Sequence, residues 1–193
     1  TGVNDLGVAV EWPRLQSSLE DPVLRRAALV AAGRRGDPAA APVLVSLLAQ
    51  SRGSTYGVVL AALVDFVRSG PGSLAAAREA AASLDDAARK KLCELARTPE
   101  PIDQRRRALL LLGALGTEEA ARVAVEALGD DAVSTEAEET LEALGGVAVG
   151  PLLDHVAAGP SPERTVCIDL LGQLVRPESL QRTVAVLRSA LDD

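Results

Sequence analysis

Apolar side chains recur along this chain at spacings of three and four residues, and short breaks rich in glycine, proline or aspartate separate the recurrences. This spacing places the apolar side chains on one face of an α-helix. The breaks group the helices into five pairs, predicted at about residues 21–50, 54–84, 101–128, 132–158 and 161–191. Residues 1–20 are predicted to be an N-terminal cap, and residues 85–97 an extra helix without an assigned place in the pairing.

Local signals mark where helices begin and end. Aspartate, asparagine, serine and threonine accept hydrogen bonds from the first free N–H groups of a helix, and proline suits the first helical position. These rules predict four helix starts, at Asp21, Asp37, Ser54 and Ser73. The glycine-rich pieces GRRG and LGGVAVG are predicted to be turns between helices, because glycine adopts the left-handed conformation that ends a helix.

The helical pairs are also similar to one another in sequence. An offset of 80 residues superimposes the first pair on the third and aligns Arg25 with Arg105, Leu29 with Leu109, Gly33 with Gly113, and Gly36 with Gly116. Offsets of 29 and 59 place the fourth and fifth pairs on the third. Self-similarity at fixed offsets is typical of repeat proteins, in which each repeat buries its apolar face against its neighbours.

The repeated segments resemble HEAT repeats, particularly the short bacterial HEAT-like repeats of the PBS-lyase type. The segments that show this resemblance are DPVLRRAALVAAG at 21–33, RRRALLLLGALG at 105–116 and LEALGGVAVGPLL at 141–153. The resemblance covers about residues 21–191. It implies an all-α fold, a right-handed α-α superhelix or solenoid of about five helical pairs that forms one domain over residues 1–193. It also implies that Arg25, Arg105 and Arg164 belong to a polar ladder that ties each repeat to the next.

Composition and charge narrow the classes of function. The chain has 193 residues, of which 48% are hydrophobic, so it has enough apolar side chains to bury a core. Its net charge of −7 disfavours nucleic-acid binding, which depends on a basic surface that releases counterions. Trp12, Tyr56 and Phe66 are the only aromatic residues, so stacking platforms for single strands are scarce. Nucleic acid is therefore not the expected partner.

The cellular setting is inferred from cysteines and apolar runs. Cys93 and Cys167 fall at apolar helix positions and are predicted to be core thiols in a reducing compartment. No apolar run approaches the roughly 20 residues that a membrane span needs. The opening residues do not resemble a signal peptide, so a cytoplasmic location is expected. Because the sequence contains no methionine, even at position 1, we expect it to be a fragment of a larger protein.

Catalytic and metal-binding patterns are weak. His155 is the only histidine and is predicted to be a surface residue, and neither a metal site nor a cofactor is expected. The acidic residues at 136–139 are predicted to face solvent, because Ala137, Leu141 and Leu144 form the opposite, apolar face of the same helix.

In HEAT-like solenoids the second helices line the concave surface, so the resemblance directs attention to their exposed positions. These are Ser46, Arg122, Glu126, Asp154, His155, Arg182 and Arg188. The expected function is that of a non-catalytic interaction scaffold or regulatory domain, which binds another protein or a neighbouring domain of its own chain there. Each of these residues is equally compatible with a role in solubility alone.

Two alternatives remain open. The first is an enzyme, either a lyase-like protein that acts on a bound chromophore or a HEAT-like DNA glycosylase; chromophore binding or salt-sensitive DNA binding would favour it. The second is a structural module that spaces or dimerises neighbouring domains. The oligomeric state is not predicted from the sequence.

Overall fold

The computed structural model describes residues 12–99, 101–175 and 184, and over this part of the chain it contains helices and no strand. The expectation of an all-α protein is confirmed. The α-helices are α1 Trp12–Glu20, α2 Arg25–Arg35, α3 Ala41–Gln50, α4 Gly53–Arg68, α5 Pro71–Ala81, α6 Asp86–Arg97, α7 Ile102–Leu115, α8 Glu118–Ala127, α9 Ser134–Leu144, α10 Val149–Ala157 and α11 Arg164–Leu174. Short 3-10 helices precede α3 at Pro38–Ala40 and α10 at Gly145–Ala148.

These bounds fall inside the predicted pairs for the first, third and fourth pairs and for the first helix of the fifth, whereas α4 begins at Gly53, one residue before the predicted start of the second pair. Helix α6 occupies the position of the predicted extra helix at 85–97. In its first turn the Asp85 carboxylate accepts the Ala88 N–H at 2.7 Å. The second helix of the fifth pair lies outside the described residues. Within the described part, no helix is long and apolar enough to cross a membrane.

Two of the aligned glycines end helices; Gly36 does so within the segment GRRG that was predicted to be a turn, but Gly33, Arg34 and Arg35 of that segment still belong to α2. Gly36 follows α2 with φ 61° and Gly116 follows α7 with φ 65°, both left-handed. The next residue in each repeat caps the following helix: Asp37 accepts the Ala39 N–H at 3.0 Å, and Thr117 accepts the Ala120 N–H at 3.2 Å. The turn between first and second helix therefore has the same chemistry in the first and third pairs.

The other predicted helix starts are wrong. The Asp21 carboxylate accepts the Val23 N–H at 2.8 Å in a turn, and α2 begins only at Arg25. Ser54 lies within α4, which begins at Gly53, and the residue before this helix is Arg52. Ser73 lies within α5 and is buried, and its hydroxyl donates to the Gly36 carbonyl at 2.8 Å instead of capping its own helix.

The chain divides into two compact units, residues 1–89 and residues 90–193. In the N-terminal unit the first helices α2 and α4 pack on each other, the second helices α3 and α5 pack on each other, and α1 packs on α2. Leu15 and Leu19 are the buried residues of α1. The largest fully buried side chains of this unit are Leu29, Leu44, Leu60, Leu63 and Phe66.

The C-terminal unit repeats this arrangement. First helices α7 and α9 pack on each other, second helices α8 and α10 do the same, and α11 packs on α10 and α9. Its largest fully buried side chains are Leu92, Leu109, Leu112, Leu141, Leu152, Leu153 and Leu171. Each unit is thus built from two layers, one of first helices and one of second helices, with leucines between them.

Glycines at one repeat position permit the close approach of first helices. A Cβ at Gly33 of α2 would lie 2.4 Å from the Ala62 carbonyl oxygen of α4. A Cβ at Gly113 of α7 would lie 3.0 Å from the Ala143 Cβ of α9. The alignment of Gly33 with Gly113 therefore corresponds to the same packing contact in both units.

Candidate functional site

The predicted partner-facing residues of the C-terminal unit lie on two adjacent helices. Arg122 and Glu126 are on α8, and Asp154 and His155 are on α10, which packs beside α8. Arg122, Glu126 and Asp154 are exposed, whereas His155 is half-buried. We call the surface formed by Arg122, Glu126 and Asp154 the α8–α10 face. Ser46 is exposed on α3 of the N-terminal unit, and Arg182 and Arg188 lie outside the described residues.

Arg122 is held by a carboxylate one turn before it. Its Nη2 donates to the Glu118 Oε1 at 2.7 Å. This hydrogen bond is the main cause that raises the pKa of Arg122, and the negative charge of Asp154 on α10 contributes to the same shift. Arg122 and Asp154 are therefore close enough to interact across the two helices, with their charges facing solvent.

Glu126 is part of a cluster that the sequence analysis did not predict. The Arg97 guanidinium, at the end of α6, binds Glu126 through Nε–Oε2 at 2.8 Å and Nη2–Oε1 at 3.1 Å. The same Nη2 donates to the Glu119 Oε1 at 3.1 Å. We call Arg97, Glu119 and Glu126 the α6–α8 ion cluster.

The α6–α8 ion cluster depends on the spacing of its two glutamates along α8. Glu119 and Glu126 are seven residues apart, which is about two helical turns, so they lie on one face of α8. One guanidinium with five N–H donors reaches both carboxylates. The hydrogen bond from Arg97 lowers the pKa of Glu126, and the hydrogen bond to Glu126 raises the pKa of Arg97. The spacing of the two glutamates was visible in the sequence, but the position of α6 beside them was not.

His155 is less exposed than predicted, because residues after α10 cover it. Its Nε2 lies 3.0 Å from the Ser161 Oγ and 3.9 Å from the Glu163 Oε2. The Glu163 side chain lies over Gly129, where a Cβ would be 2.5 Å from Oε1. A catalytic Ser-His-acid arrangement needs the carboxylate on the ring nitrogen opposite the serine. Here both partners lie at one nitrogen, so the geometry is that of a structural contact between α10 and the start of α11.

The aligned arginines bind the ends of preceding helices. The Arg25 Nε donates to the Leu19 carbonyl of α1 at 2.8 Å, and the Arg105 Nε donates to the Ala96 carbonyl of α6 at 3.0 Å. Arg105 is buried and also pairs with Asp130, in the turn between α8 and α9. Carbonyls in the last turn of a helix have no partner within the helix, so these bonds satisfy them.

The charges of the chain are unevenly distributed between its units. Residues 1–89 contain nine basic and nine acidic side chains, and residues 90–193 contain 11 basic and 18 acidic ones. The net charge of −7 therefore belongs entirely to the C-terminal unit, which carries the α8–α10 face. Among the described residues, no group of three or more His, Cys, Asp or Glu side chains is placed to hold a metal ion.

Compared with protein-family models and with curated proteins, the sequence matches none. The candidate site is a polar surface on two packed helices, and the arginine of these helices, Arg122, already pairs with the Glu118 carboxylate.

Proposed function

We propose that this chain is a cytoplasmic, non-catalytic interaction scaffold, in which a right-handed HEAT-like solenoid presents the second-helix layer to a segment of a partner protein or of a neighbouring domain. The α8–α10 face is the proposed docking surface. The observation that carries the proposal is the side-by-side packing of α8 and α10, which brings exposed charged residues of two repeats together.

The preformed character of this surface supports a binding role. Arg122 is already paired with Glu118, and Glu126 is already paired with Arg97. Side chains that are ordered before binding lose less conformational entropy on association. The backbone beneath them is equally fixed, because Val123 and Leu152 of the same two helices are buried in the core.

The charge of the C-terminal unit indicates the chemistry of the partner. A net charge of −7 on one unit favours encounter with a positively charged segment, and its field acts beyond individual contacts. Complementary charges mainly contribute specificity and association rate. We therefore propose a Lys- or Arg-rich partner segment.

Affinity capture with a charge reversal and a matched control tests the function. The immobilised chain is incubated with lysate of its source organism, and retained proteins are identified by mass spectrometry for the wild type, Asp154→Lys and Asp65→Lys. Both substitutions exchange an exposed helix aspartate for lysine, but Asp65 lies on α4 of the N-terminal unit. The proposal predicts a basic protein that is retained by the wild type and Asp65→Lys and lost with Asp154→Lys.

Other outcomes favour the alternatives. Equal retention by all three proteins would exclude the α8–α10 face as the docking surface. A stable dimer with no retained partner would favour a spacer or dimerisation module. Tight binding of a chromophore, or salt-sensitive binding of DNA, would favour a lyase-like or glycosylase-like enzyme.

A further inference from the structure

The α6–α8 ion cluster lies next to a buried thiol. Cys93 precedes Arg97 by four residues on α6, so the two side chains occupy the same face of that helix. Cys93 is 6% exposed. Burial is the main cause that raises the pKa of its thiol, and the charges of Glu119, Arg97 and Glu126 also act on it. The charges of all three members of the cluster therefore act on the thiol.

The cluster differs from the apolar core in how it holds α6. The Arg97 side chain is 42% exposed, and those of Glu119 and Glu126 are 57% and 55% exposed. Ion pairs in contact with water are weakened by salt, whose screening length falls to about 3 Å at about 1 M. Buried leucine contacts do not weaken in this way, because added salt does not screen them.

We propose that the α6–α8 ion cluster is a salt-sensitive closure that holds the end of α6 on α8 and covers the Cys93 thiol. At low ionic strength Arg97 bridges the two glutamates and the thiol is protected. At high ionic strength the cluster loosens, the Arg97 side chain leaves Glu119 and Glu126, and Cys93 becomes accessible, while the hydrogen bond from Arg105 to the Ala96 carbonyl keeps the helix end in place. Glu126 belongs both to this cluster and to the α8–α10 face, but the accessibility of Cys93 can be measured without any binding partner.

Alkylation by iodoacetamide measures the opening. A solvent base removes the thiol proton, the sulfur attacks the CH₂ carbon of the reagent, the C–I bond breaks and iodide leaves. Mass spectrometry of peptides reports Cys93 and Cys167 separately. Cys167 is 0% exposed in the same unit, and burial raises the pKa of its thiol to about 11, so it serves as the internal reference for unfolding of the unit.

The variant Arg97→Ala distinguishes an opening of the ion cluster from a purely electrostatic effect on the Cys93 thiol. Removal of Arg97 leaves two unneutralised carboxylates near Cys93, which raises the pKa of the thiol further and slows alkylation if the closure is unaffected. Opening of the cluster has the opposite effect, because it exposes the thiol and accelerates alkylation. Lys90→Ala is the matched control, because it also removes a cation from α6, but Lys90 pairs with Glu94 of its own helix.

We expect alkylation of wild-type Cys93 to accelerate severalfold between about 0.05 M and about 1 M salt while Cys167 stays protected. Arg97→Ala should react rapidly at both salt concentrations, and Lys90→Ala should behave like the wild type. If the alkylation rate of Cys93 in the wild type does not depend on salt, that result alone overturns the proposal, before any variant is measured. Slower alkylation in Arg97→Ala, or parallel acceleration at Cys93 and Cys167, would also overturn it.

Discussion

At the scale of single residues, the effect of a side chain depends on the space available to it and on the charges near it. Gly33 and Gly113 lack side chains where first helices meet, and Arg105 places a guanidinium between a helix end and Asp130. The hydrogen bond from Arg105 is the main cause that lowers the pKa of Asp130, and the hydrogen bond from the Ala132 N–H contributes to the same shift. The glycine and the arginine recur at an offset of 80 residues, because each contacts a neighbouring helix in both units.

Gly33→Ala should destabilise the N-terminal unit. The added methyl group meets the Ala62 carbonyl oxygen at 2.4 Å, so the backbone of α4 has to shift, at a cost of about 1–3 kcal/mol. Urea denaturation measures the change. Gly172→Ala is the control: it lies within α11, where no atom of the described residues is near the new Cβ, and it should stabilise by about 0.5–1 kcal/mol. Equal effects at the two positions would contradict the close approach of α2 and α4.

Leu109→Asp should destabilise the C-terminal unit by more than about 4 kcal/mol, because it buries an unpaired carboxylate at a position that is 0% exposed. Glu138→Lys on α9 should change the free energy of unfolding by no more than about 0.5 kcal/mol, since this side chain is partly exposed to solvent. Thermal melting of both variants checks the assignment of buried and solvent faces. Similar melting temperatures would refute it.

At the scale of helices, the sequence patterns predicted most of the structure in the described residues. The apolar spacing located the helices, and Gly36 and Gly116 marked where two of them end, because glycine at positive φ is a local requirement. Ser73 was misassigned as a cap since its true partner, the Gly36 carbonyl, is 37 residues away. The α6–α8 ion cluster was missed for the same reason, because it depends on packing between helices that are distant in sequence.

The ion cluster should make stability depend on pH. The folded protein holds the pKa of Glu126 below its ordinary value of 4.5, so the unfolded chain binds a proton first as the pH falls. The stabilisation is present above pH 4.5 and is lost as the pH drops toward the lowered pKa of the folded state. Urea denaturation over this range should show a smaller loss for Glu126→Gln than for the wild type, with Glu142→Gln as control. An identical pH dependence for all three would contradict the pairing with Arg97.

At the scale of the whole molecule, two features bear on function: the repeated layering of helices in each unit and the confinement of net charge to residues 90–193. The layering brings surface residues of successive pairs together, as on the α8–α10 face. The charge was countable from the sequence, but its assignment to one unit required the division of the fold.

The central claim is that a preformed surface on α8 and α10, in a unit with a net charge of −7, recognises a basic segment. Its most direct test is calorimetric titration of the captured partner into the wild type, Asp154→Lys and Asp65→Lys at low and high salt. The account predicts that affinity falls at least about tenfold, or about 1.4 kcal/mol, with Asp154→Lys and also falls with salt, while Asp65→Lys binds like the wild type. Affinity that is insensitive both to salt and to Asp154→Lys would contradict it.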